Sequence, residues 1–332
     1  MIKISHDSNR LNNYAKEHLR ILNTKPFYLE RNLDDSITKI SGKAKKVLEY
    51  FKDNLPLLIC SQPEKLFDLS KNIDKKINEA TWEIQANFSN PTDEIRRFNI
   101  LVKKAFNYDR FIRIKNGGLA YDHAQKLDSP VCLYCNRQYT FTLNKANRKT
   151  RPQFDHFFDK ANYPYYALSF YNLVPCCSIC NSNFKGSTKF KLDKNIHPLI
   201  EGTEKIFKFT IDVRRYSDIH GRDVKLNIKK YHKTTKITDY QRAQNNLDIF
   251  AIVPLYNMHQ TYLKNLVINA HIYNKSMKKE LMKYRDGKVS LFQSEKELNE
   301  HILGTPISPK NFGKTPLSKL TYDLAKELNL LE

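Results

Sequence analysis

Asp155 and His156 stand side by side in Gln153-Phe154-Asp155-His156-Phe157-Phe158-Asp159-Lys160, an acid and an imidazole set among three phenylalanines. A histidine can take a proton from water near neutral pH, and a carboxylate beside it can hold a cation or orient a nucleophile. Two Cys-x-x-Cys pairs flank them, Cys132 with Cys135 and Cys177 with Cys180. That spacing turns two thiolates onto one tetrahedral ion, and two such pairs close a four-thiolate zinc site with no open position, so the zinc they predict is structural. Cys60 and Cys176 have no partner at ligand spacing and read as buried free thiols. Asn172 lies in Tyr-Asn-Leu-Val-Pro-Cys-Cys, and Asn181 directly follows Cys180.

The order Asp-His, then Asn-Leu, then Cys-x-x-Cys followed at once by Asn resembles the HNH endonuclease family with zinc-knuckle cysteines, whose core is a ββα-metal fold. The matching stretch covers residues 131–188. The resemblance implies His156 as the general base that deprotonates the attacking water. It implies Asp155 and Asn181 as oxygen ligands of one catalytic divalent cation. It implies Asn172 as a residue that bonds the loop backbone and fixes the aim of His156. Asparagine at the third motif position leaves that cation a set of hard oxygen donors, which suits Mg²⁺, with Mn²⁺ next. The surrounding texture is also similar to HNH nucleases of bacterial anti-phage defence systems such as the Septu type, which implies an ATPase partner protein. The competing reading is a zinc-knuckle nucleic-acid-binding protein without catalysis; another is an interaction module that binds an acidic protein.

The charge of the chain fits a polyanionic partner. There are 56 Lys and Arg against 35 Asp and Glu, a formal net charge of +21, and a surplus of that size bears on partners rather than on fold. DNA is the expected partner, with Arg148, Lys149 and Arg151 before Asp155 and Lys185 after Asn181 as candidate phosphate contacts. Tyr163, Tyr165 and Tyr166 could stack on unpaired bases but read more readily as core. The N-terminal stretch does not resemble a signal peptide and the apolar runs are too short to span a bilayer, so a cytoplasmic protein with no membrane partner is expected.

These residues need elements to hold them. The expected class is α+β, a small zinc-stapled ββα core embedded in a mainly helical chain, with a helical region over 1–128, the core over 129–200, and a β-hairpin plus helices over 201–332. Apolar residues three and four apart predict helices in Ser41–Leu55 and from Ser61, where Ser61 and Glu64 could form a capping box. Phe207, Phe209, Ile211 and Val213 alternate like one face of a hairpin strand. Leu255 to Tyr284 keeps helical spacing after Pro254, predicting one helix of about thirty residues, and Pro316–Leu331 predicts a last amphipathic helix. Neighbours on a regular strand face opposite ways, so the Asp155-His156 pair predicts a strand end or bulge, with the phenylalanines packed and the polar pair turned outward into a cleft.

Overall fold

A computed structural model describes residues 1–331 except 114–117, 146–147, 214 and 233–234. The chain is α+β: helices with four two-stranded antiparallel sheets among the described residues. The first third is helical throughout: α1 (Ser8–Leu22), α2 (Leu29–Ile37), α3 (Gly42–Asp53), α4 (Leu55–Cys60), α5 (Pro63–Asn87), α6 (Pro91–Ala105), α7 (Tyr108–Arg113) and α8 (Leu119–Leu127). Local chemistry sets several of these starts. Asp7 accepts a hydrogen bond from the Arg10 amide at the head of α1, and Asn90 does the same for Asp93 at α6. Pro91 sits in the first turn of α6, with Asp93 and Glu94 beside it and Lys103 and Lys104 at the far end, both charges matched to the helix dipole. The expected capping box at α5 does not form. Gln62 rather than Ser61 holds the cap position, with no side-chain bond to the helix, because Pro63 takes the first helical position.

The middle of the chain carries the short strands β1 (Leu143–Lys145), β2 (Arg148–Thr150), β3 (Gln153–His156) and β4 (Leu173–Cys176), then a helix over Ile179–Lys185. The strands β3 and β4 pair antiparallel, with Asp155 opposite Val174 and His156 opposite Leu173. Strand β3 ends at His156, and the pairing runs in regular register without a bulge. The following helix is wound with i→i+5 bonding, Gly186 N–H reaching the Asn181 carbonyl at 3.0 Å. Gly186 stops it with a φ of 48°, a conformation that suits a residue without a Cβ.

Beyond this lie β5 (Phe207–Ile211) and β6 (Leu226–Lys230), the predicted hairpin, with Phe207, Phe209 and Ile211 buried. They are followed by α9 (Ile237–Ile249), α10 (Ile252–Asn257), α11 (Gln260–Ile272), α12 (Lys275–Leu281), β7 (Arg285–Asp286), β8 (Val289–Ser290), α13 (Glu295–Leu303) and α14 (Ser318–Glu327). The single long helix expected after Pro254 is three helices. Breaks fall at Met258-His259 and at Tyr273-Asn274, where the Asn274 side chain accepts from the Ser276 and Met277 amides and so starts a new helix. Helix α14 docks on β5, with Asp323 accepting from the Phe209 amide at 2.9 Å and Lys319 donating to the Phe207 carbonyl at 2.9 Å.

One contiguous hydrophobic core draws on all three stretches, from Leu48, Phe51 and Leu66 through Tyr134, Phe157 and Phe170 to Phe250, Leu263 and Leu320. Each fully buried large side chain contributes about 1.5–3 kcal/mol over exposure. Three further histidines are buried in this core: His18, His123 and His197. His18 and His123 lie with ring centroids 4.9 Å apart, and His123 packs edge-on to Phe154 of β3 at 4.9 Å.

Burial pushes His18 down to about 4 and His197 down to about 3, and it holds His123 well below the ordinary imidazole value. A folded value below the unfolded value of about 6.5 means the unfolded chain binds more protons, so stability is full above pH about 6.5 and falls as pH drops toward the folded values. At pH 5 this amounts to about 2 kcal/mol for each of His18 and His197. The urea midpoint should therefore fall by a large margin between pH 7.5 and 5; an unchanged midpoint would mean these rings are solvated.

Candidate active site and metal centre

The four cysteine sulfurs of Cys132, Cys135, Cys177 and Cys180 all lie within 4.8 Å of one another, every side chain buried. Cys135 and Cys177 come to 4.0 Å. Sulfurs about 2.3 Å from a tetrahedral zinc are about 3.8 Å apart, so this donor set fits the ion with slight contraction. The thiols around it pull Cys177 well below the ordinary thiol value, while Cys132, Cys135 and Cys177 drive Cys180 up. A cation held by all four as thiolates would displace their protons on binding.

The first knuckle is also a structural hub. Leu133 C=O accepts from the Ile2 amide at 3.1 Å and Asn136 C=O from the Leu317 amide at 2.6 Å, while Tyr256 of α10 donates to Cys135 C=O at 2.5 Å. Inside the knuckle, Tyr134 donates from its hydroxyl to Asp155 Oδ2 at 2.6 Å. Burial pushes that phenol well up, so it stays a donor. The first cysteine knuckle and the acid of the Asp-His pair are thereby one bonded unit.

A cleft of about 470 Å³ opens where β3 ends, and Asp155, His156, Asn181, Arg151 and Lys185 all line it, with Tyr108 at one wall. Asp155 is 4 % exposed and His156 8 %. The polar pair therefore forms the floor of the cleft rather than turning outward, while Phe154, Phe157 and Phe158 pack as expected. Nε2 of His156 lies 3.0 Å from the Ala167 carbonyl. A carbonyl only accepts, so Nε2 carries the proton and Nδ1 keeps its lone pair, with no hydrogen-bond partner among the described residues. The Tyr108 ring stands edge-on to the imidazole at 4.5 Å. Burial lowers His156 to about 3, outweighing the Ala167 bond that raises it, so the ring is neutral at physiological pH.

Asn172 is fully buried and reaches the loop backbone. Its Oδ1 accepts from the Phe158 amide at 2.6 Å, and its Nδ2 donates to the carbonyls of Phe158 and Tyr166, both at 3.0 Å. Those bonds tie down the turn that presents the Ala167 carbonyl to His156. No family model, curated protein or solved structure matches this chain. Its chemistry therefore rests on the residues themselves.

Two contacts were not legible in the sequence. Lys185, expected among exposed phosphate contacts, is 3 % exposed and donates from Nζ to Asp155 Oδ1 at 2.7 Å and to the His156 carbonyl at 2.9 Å. Tyr134 reads in the sequence only as a spacer between ligating cysteines. Together they engage both oxygens of Asp155. Asn181, expected to offer its amide oxygen, donates from Nδ2 to Gln153 Oε1 at 2.9 Å.

Among the other candidate phosphate contacts, Arg148 and Lys149 are exposed on β2, and Arg151 lies over the rings of Tyr121 and Phe154 at the rim of the cleft. Tyr165 and Tyr166 are buried in the core, which removes them as base-stacking candidates, and Tyr163 is half-buried against both. Among the described residues no helix is long and apolar enough to cross a membrane.

Proposed function

We propose that the chain is an HNH-type endonuclease that hydrolyses phosphodiester bonds in DNA. The observation that carries the reading is His156: a neutral imidazole locked by the Ala167 carbonyl into the tautomer whose Nδ1 can accept a proton, on the floor of a cleft rimmed by Arg151. In this reading His156 takes a proton from the attacking water, Asn172 holds the loop that orients the ring, and Arg151 with the exposed Arg148 and Lys149 positions the phosphate backbone. Strand, strand and helix in the order β3, β4, Ile179–Lys185, stapled by four cysteines, support assignment to a ββα-metal core. An anti-phage role beside an ATPase rests on the resemblance alone.

In this reading Asp155 and Asn181 would hold a divalent cation, Mg²⁺ or Mn²⁺, which when bound supplies positive charge to the scissile phosphate. Such an ion at Oδ1 must displace Lys185, since an ammonium and a dication repel at this range in a buried site. Zinc-loaded Lys185→Met protein should therefore bind Mn²⁺, measured by electron paramagnetic resonance, at least about tenfold more tightly than wild type. Without the ion, the same variant leaves the buried Asp155 charge uncompensated and loses about 3–5 kcal/mol of stability. Equal Mn²⁺ affinity in both proteins would remove Lys185 as a competitor.

The occupied carboxylate is also the observation that favours the alternative, a zinc-knuckle nucleic-acid-binding protein without catalysis. Supercoiled plasmid incubated with Mg²⁺, Mn²⁺ or EDTA separates the two. Nicking in a divalent ion that His156→Ala abolishes supports the nuclease, and binding without cleavage by either protein supports the alternative.

A further inference from the structure

Tyr139 and Phe141 stack on each other and are largely exposed, with ring centroids 4.7 Å apart, planes 16° apart, and 53 % and 57 % exposed. They alternate about Thr140, which is buried with its hydroxyl donating to the Ser129 carbonyl at 2.8 Å. Their backbone is tied to the zinc knuckle. Cys132 N–H reaches the Gln138 carbonyl at 2.9 Å, Thr140 N–H the Pro130 carbonyl at 2.8 Å, and Tyr139 forms a bridge pair with Val131. Two rings displayed to water on so rigid a support lose hydrophobic stabilisation that a partner would restore.

The surroundings say which partner. The rings line a groove of about 430 Å³ together with Thr150, Arg151, Gln153 and Ile179. Arg151 and Gln153 also line the cleft at Asp155 and His156, so groove and cleft share a wall. The adjoining hairpin of β1 and β2 presents exposed Lys145, Arg148 and Lys149. Aromatic faces beside a track of cations are the chemistry that holds unpaired nucleotides: the rings stack on bases of any identity while the cations follow the phosphates. A blunt duplex keeps its bases inside and offers the rings nothing.

Resting on the nuclease reading, we propose that Tyr139 and Phe141 stack on an unpaired nucleotide flanking the scissile phosphate, and that the enzyme prefers DNA with a single-stranded segment beside the cut. The test uses full-length, zinc-loaded His156→Ala protein, which prevents cleavage, and fluorescence anisotropy with a labelled oligo(dT) and a blunt duplex. Adding Tyr139→Ala with Phe141→Ala should weaken oligo(dT) binding roughly 10- to 100-fold and leave duplex binding within about twofold. Arg148→Gln with Lys149→Gln should weaken both and flatten the salt dependence. A second readout does not depend on loss: in Trp82→Phe/Phe141→Trp protein, the new indole should be quenched by oligo(dT) and not by duplex. Unchanged oligo(dT) affinity, or equal losses on both probes, would overturn the platform while leaving the nuclease reading intact. Failure of the parent protein to bind either probe would overturn both.

Discussion

Removing a zinc held by Cys132, Cys135, Cys177 and Cys180, the ion their geometry fits, is expected to unfold the middle of the chain cooperatively, and Cys177→Ser is expected to do the same without a chelator. A four-thiolate zinc site contributes about 10–16 kcal/mol at neutral pH, as much as the whole stability of an ordinary domain. Here the loss would not stay local. The knuckle bears Leu133, Tyr134, Cys135 and Asn136, whose bonds run to Ile2, Asp155, Tyr256 and the head of α14. Once the sulfurs part, the N-terminal segment at Ile2, strand β3 and helix α14 each lose an anchor. Circular dichroism melts with metal analysis should show about one zinc per chain and one transition in wild type. Cys177→Ser should show neither the zinc nor that transition. Cys60→Ser is the control: Cys60 is only half-buried and donates to the Ala15 carbonyl at 3.2 Å, far from the cluster in sequence and in bonding. A zinc-free Cys177→Ser protein that melts as wild type does would show that the sulfurs gather without a structural ion.

The four cysteines were legible because metal coordination imposes a spacing that survives in one dimension. The hairpin of β5 and β6 was legible for a similar reason, since alternation at Phe207, Phe209 and Ile211 is a local record of a half-buried strand. Helix ends were less so. The break at Tyr273-Asn274 depends on an asparagine whose cap bonds cost nothing in periodicity, so the apolar spacing runs on through it. Lys185 was misread because it stands in a run of basic residues, where solvent exposure is the ordinary outcome. Only the fold brings it to Asp155, thirty residues earlier, in an ion pair with no local trace. The same holds for Tyr134, and for Tyr139 and Phe141, whose stacking and exposure depend on the knuckle that carries them.

Under the proposed nuclease reading, His156→Ala is expected to lower the rate of phosphodiester cleavage by about 10²–10⁴-fold, the range a positioned general base supplies, with metal content and folding unchanged. The smaller question is whether the loss comes from proton transfer or from a disturbed loop, and Asn172 separates them. Asn172→Ala strands the Phe158 amide and carbonyl, costing about 1–3 kcal/mol for each, while the Tyr166 carbonyl keeps its bond from the Ser169 amide. Its effect on rate should act through the Ala167 carbonyl: the imidazole would lose the contact that selects its tautomer and wander in the cleft. The expected signature is a fall in kcat with KM nearly unchanged, because neither Asn172 nor the carbonyl touches substrate. Asn172→Asp should not rescue it, since a carboxylate can accept from the Phe158 amide but cannot donate to the two carbonyls. Full activity in Asn172→Asp, measured by single-turnover cleavage of a labelled DNA, would show that the loop needs only an acceptor there and that the orientation of His156 is set by something else.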